Sequence, residues 1–113
     1  MARNTLVLTH YEAEMVLVPE GPNDAKLVQA LRVIVFGPHF PQRAIEPELL
    51  VGDLKAHGVS ITREQSAIRG YFAHPPPDGG RVRVRYGDSL EGEVSEMFSQ
   101  ARIRRLPRGC GKG

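Results

Sequence analysis

Arg81-Val82-Arg83-Val84-Arg85-Tyr86 is the stretch on which the fold of this 113-residue chain turns. Charged and apolar residues alternate across all six positions. An extended strand points successive side chains to opposite faces. Val82, Val84 and Tyr86 are therefore expected on a dry face, and Arg81, Arg83 and Arg85 on a wet one. A strand with one wet face belongs to an antiparallel sheet, because parallel sheets are covered on both sides.

Working outward, the neighbouring segments carry the same signal. Upstream, His74-Pro75-Pro76-Pro77-Asp78-Gly79-Gly80 reads as a rigid connection, stiff through the prolines and turning at Asp-Gly-Gly. Before it, residues 58–62 and 67–73 look like two short strands. Residues 48–54 fit a strand or a turn of helix, and Gly52 weighs against helix. Gly37-Pro38-His39-Phe40-Pro41 interrupts any central ladder. Residues 28–36 read as a buried strand, dense in β-branched residues, although Asn23 or Asp24 could cap a helix over 23–30. Residues 4–18 read as extended, with Pro19 ending them.

Downstream, two readings compete. Val94, Met97, Phe98 and Ala101 fall at helical spacing, with glutamates early and arginines late, which suits the helix dipole. That leaves open an α+β alternative with a helix at 91–105. Phe98 to Leu106 also reads as a closing strand, with Ala101 and Ile103 inward and Arg102 and Arg104 outward. The expectation is one all-β domain over 1–106, an antiparallel β-sandwich of about seven strands. A flexible basic tail, 107–113, follows it.

Val33-Ile34-Val35-Phe36-Gly37-Pro38-His39-Phe40, then Leu50-Val51-Gly52-Asp53, then Ile68, Pro75 to Gly80, Val82, Val84 and Phe98 follow one another in an order that resembles the IPT/TIG family of immunoglobulin-like domains. The resemblance covers residues 13–105. It implies an immunoglobulin-like sandwich in which Gly37 takes a turn conformation closed to other residues and Phe40 swings back as a core plug. Such modules are usually accessory units of larger bacterial surface proteins or transcription factors.

Composition narrows the function. One cysteine, Cys110, excludes an internal disulfide, and no segment approaches the roughly 20 apolar residues of a membrane span. The N-terminus lacks the pattern of a signal peptide. A cytoplasmic protein without a membrane partner is expected. His10, His39, His57 and His74 lie seventeen or more residues apart, with no metal-ligand spacing. No serine sits in a nucleophile elbow, and Cys110 lies in a glycine-rich stretch that cannot hold transition-state geometry. Gly111-Lys112 lacks the rest of a phosphate loop. No catalytic, cofactor or metal residues are assigned, and no enzymatic activity is expected.

Arg81, Arg83, Arg85, Arg102, Arg104 and Tyr86 form the candidate binding face. If residues 81–86 pair with 98–106, these arginines share an outward surface. Like charges placed opposite one another destabilise a sheet. Either glutamates such as Glu12 and Glu14 interleave, or an anionic partner does. The expected function is a non-enzymatic module that binds a protein or a second copy of itself by an exposed sheet edge. The alternative is a polyanion or nucleic-acid binder acting through arginine–phosphate contacts.

Overall fold

The computed structural model describes residues 4–19 and 26–105, all without an α-helix. The strands are β1 (Asn4–Thr5), β2 (His10–Pro19), β3 (Leu27–Phe36), β4 (Glu48–Val51), β5 (Leu54–Lys55), β6 (His57–Ile61), β7 (Ala67–Phe72), β8 (Arg81–Tyr86), β9 (Leu90–Met97) and β10 (Ile103–Arg104). Seven of them are four residues or longer. The 107–113 tail, with Cys110 and Lys112, lies outside the described residues, as do Asn23 and Asp24.

Two five-stranded sheets form, in the orders β1-β9-β8-β4-β5 and β10-β2-β3-β7-β6. All pairings are antiparallel except β1 with β9 and β10 with β2. The run β2-β3-β7-β6 against β4-β8-β9 reproduces the two-sheet strand order of an immunoglobulin constant-type sandwich. The fold is thus an all-β, predominantly antiparallel sandwich, and its strand order is compatible with an immunoglobulin-like one.

Alternation builds the interior. Val82, Val84 and Tyr86 of β8 are fully buried, as are Tyr11 of β2, Leu31, Val33 and Val35 of β3, and Val94 of β9. Each such aliphatic side chain contributes about 1.5–3 kcal/mol when removed from water. Phe40 is also fully buried and joins this cluster, as the plug expected of it. Its amide donates to the Gln65 carbonyl (2.8 Å), and Gln65 Nε2 donates to the Phe40 carbonyl (3.0 Å).

Three expectations are corrected. Residues 90–97 are a strand, so the helix at 91–105 does not form, and of the strand expected at 98–106 only β10, Ile103–Arg104, is present, with Ile103 inward and Arg104 outward. A 3-10 turn at Gln100–Arg102 follows, capped by Ser99, and leaves Ala101 exposed rather than inward. Strand β8 pairs with β9 and β4, not with the segment beyond Phe98. Gly37 does not adopt a left-handed conformation. It is needed because a Cβ there would lie 2.5 Å from the Val7 carbonyl oxygen.

Gly92 plays the same part on β9. A Cβ at that position would overlap the Leu6 carbonyl, just where the Leu6 amide donates to the Glu91 carbonyl (2.9 Å). Gly92→Ala is expected to lower the unfolding free energy by about 1–3 kcal/mol, the range for overpacking against an unyielding neighbour. Urea titration measures it, and a loss under about 0.5 kcal/mol would contradict the placement of β1 on β9.

Candidate interaction surface

The six residues of the arginine face do not share one surface. Arg81, Arg83 and Arg85 lie on the outer side of β8, in the sheet that holds β4 and β9. Arg102 and Arg104 lie at the edge of the other sheet, on the 3-10 turn and β10. Tyr86 belongs to the core. Its hydroxyl donates to the Pro41 carbonyl (2.7 Å), burial raises its pKa, and Arg43 lies 5.8 Å from its ring centroid. A buried, hydrogen-bonded tyrosine ties down the loop before β4 and offers no stacking platform.

The arginines meet acids inside the protein. Arg85 donates through Nε and Nη2 to Glu48 Oε1 (3.1 and 2.7 Å), and Lys55 donates to Glu48 Oε2 (2.9 Å). Arg83 bridges Glu91 (3.4 Å) and the Gly52 carbonyl (3.2 Å). Arg81 donates to the Ser95 carbonyl (3.3 Å). On the other sheet, Arg102 pairs with Glu96 and lies over the Tyr11 ring, 5.1 Å from its centroid. Arg104 reaches Glu12 (3.3 Å) and Glu14 (3.6 Å), and Glu14 also pairs with Arg32. Glutamates therefore interleave on both surfaces. Leu50, flanked in register by Arg83 and Lys55, is buried on the outer face beneath their aliphatic stems.

A different surface stands out once the charges are paired. Strands β2 and β3 pair from His10↔Phe36 to Pro19↔Leu27. Their neighbours stop earlier. On one side β7 pairs with β3 only from Leu31 onward, and on the other β10 meets β2 only at Ala13 and Glu14. Among the described residues, the pair Met15–Pro19 and Leu27–Ala30 thus runs beyond its neighbours as a two-stranded arm, about 15 Å long at strand rise.

The arm is apolar on both faces and contains no charged residue within those limits. Met15 packs against the core at its root. Beyond it, Leu17 and Leu27 are diagonal neighbours on the inner side, 52% and 54% exposed. Val16, Val18 and Val28 are half-exposed on the other side. Gln29 is the arm's one polar side chain on these strands. A lone two-stranded hairpin is marginal in water, and an open strand edge is a template for another strand. Sequence reading found both strands but not the arm, because nothing in β2 or β3 encodes where β7 and β10 stop.

No family model matches the chain, and neither a curated protein nor a solved structure matches it. Among the described residues no group of three or more His, Cys, Asp or Glu is placed to hold a metal ion, and no helix is long and apolar enough to cross a membrane.

The paired charges yield a pH signature. Hydrogen bonds from Arg85, then Lys55, hold the Glu48 carboxyl below its ordinary value of 4.5. A carboxyl with a lower pKa folded than unfolded stabilises the fold above its unfolded pKa, and that contribution disappears as pH falls through the folded value. Glu48→Gln should therefore melt below the parent protein at neutral pH, with the gap closing in acid beneath about pH 4. Thermal denaturation across pH reads this directly. A gap that stays constant into acid would remove Glu48 from the pairing.

Proposed function

We propose that this chain is a non-enzymatic protein-interaction module and that the β2–β3 arm is the element that engages the partner. The observation that carries the reading is the arm itself, with apolar side chains on both faces and, among the described residues, no strand paired to either edge. Soluble domains blunt such edges with charge, proline or cover; between Met15 and Val18 and between Leu27 and Ala30 the sequence holds neither charge nor proline, and Pro19 stands only at the end of β2.

Two further points support an interaction role. The order of Val33 to Phe40, Leu50 to Asp53 and the Pro75–Gly80 loop resembles IPT/TIG domains, whose usual place is as accessory interaction units, often bacterial. No nucleophile or ligand set in the sequence supports catalysis. We place the module in the cytoplasm on the strength of its single cysteine, Cys110. The polyanion reading has less support, because Arg83, Arg85, Arg102 and Arg104 are all paired with glutamates of the same chain.

A photo-reactive residue placed at position 17 or 27 should cross-link the partner, while the same probe on the arginine face, at position 81, should not. Leu17→Lys with Leu27→Lys should abolish capture by more than tenfold and leave the melting temperature within a few degrees, since both side chains already face water. Equal capture by the double variant and the parent would refute the arm as the binding element.

A further inference from the structure

We propose that the groove beside β6 receives the arm of a second copy of this chain, so that copies join head to tail. This rests on the reading of the arm as the interaction element, and it names the arm's partner.

Gln42, Arg43, Glu46 and Pro47, from the loop before β4, face Val59, Ser60 and Ile61 of β6 across a cavity of about 390 Å³. Strand β6 is the edge of its sheet. The Thr62 amide donates to the Ala67 carbonyl (2.9 Å), toward β7. Backbone groups alternate sides along a strand, so the amide and carbonyl of Ile61, a residue lining the groove, point away from β7 to the edge of the sheet. The side chains of Val59 and Ile61 pack on the core and are only partly buried, which gives the groove an apolar floor. The complement of this site is a strand edge carrying an apolar side chain and no charge to desolvate.

The arm has those properties. The Gly37 amide donates to the Ser66 carbonyl (3.1 Å), in register with the β3–β7 ladder. By alternation the odd-numbered residues of β3 turn their backbone groups to the β7 side. Beyond Leu31 there is no β7 opposite them, so Leu27 and Gln29 present two amides and two carbonyls to an edge on which no strand pairs among the described residues. Leu27 supplies the exposed apolar side chain. Strand addition of this kind draws affinity from main-chain hydrogen bonds and selectivity from a side chain in a pocket.

A chain cannot fill its own groove. Ile61 is level with Ile68 and Val35, whereas the arm departs beyond the Leu31–Phe72 pair and runs the other way. An arm seated in the groove must therefore come from another copy, and such a contact is heterologous: each copy gives an arm and accepts one. Such contacts propagate into rings or open chains, whereas symmetric arm-to-arm pairing would stop at a dimer and leave the groove vacant.

Complementation between two variants tests this. Leu27→Lys spoils the arm and leaves the groove intact. Gln42→Trp, at an exposed rim position, fills the groove and leaves the arm intact. Val59→Lys serves as a second groove variant, and circular dichroism checks that each folds. In sedimentation equilibrium, the parent should exceed twice the 12.5 kDa chain mass as concentration rises, and each variant alone should remain at 12.5 kDa. An equimolar mixture of Leu27→Lys and Gln42→Trp should give a species of about twice 12.5 kDa and nothing larger, since one good arm and one good groove remain. A mixture that stays monomeric, or a groove variant that associates like the parent, overturns the proposal. A parent that is monomeric at every concentration also overturns it. In that case cross-linking from position 17 or 27 to a different protein would leave the arm's interaction role standing, and loss of that cross-link too would remove both.

Discussion

Everything in this fold depends on the meshing of two inward-facing rows. Val82, Val84 and Tyr86 from one sheet meet Leu31, Val33 and Val35 from the other, all fully removed from water. Because the side-chain period of a strand is two, a one-residue slip in either sheet would place arginines in the interior and valines outside. That penalty sets the register of β8, and β8 in turn sets β4 and β9. The charged outer row follows from the same parity. Glu48 and Glu91 both stand opposite Arg85, so the pairing that screens the arginines is a by-product of the register.

Local pattern carried the reading wherever a segment alternates for its full length. Strands β3 and β8 were legible for that reason, and so was the Phe40 plug, since Gly37 and two prolines force a break there. Residues 90–105 were not. Val94 and Phe98 are both buried, and a spacing of four puts side chains on one side of a helix and equally on one side of a strand. Only Gly92, pressed against the Leu6 backbone, breaks the tie, and that contact is invisible without the partner strand. Tyr86 was rightly placed inward by alternation, yet it also entered the candidate binding face. Its hydroxyl settles the matter by donating to Pro41.

The interaction surface was the least legible part, for a physical reason. An arm exists where two paired strands outrun their neighbours: β7 ends at the turn at Ala73–His74, and β10, parallel to β2, is paired only as far as Arg104. The sequence marks residues 4–18 and 28–36 as extended and apolar, which is compatible with a fully covered hairpin. Charge patterning drew attention to the arginines, but those side chains spend their hydrogen bonds within the molecule. What the arm offers a partner is backbone and hydrocarbon.

The two parallel pairings have a mechanical consequence. Before β2 the chain crosses from one sheet to the other after pairing with β9, and after β9 it crosses again to lie against β2. Both crossings occur along one flank of the sandwich. The opposite flank is spanned by the short link through Ala56, with the loop before β4 lying against β6. The two layers are bound like the covers of a book, with a stitched spine on the β1–β10 flank and a fore-edge at β5 and β6. Denaturant or force should part the pages from the fore-edge first, so early unfolding exposes the β6 side while the spine still holds.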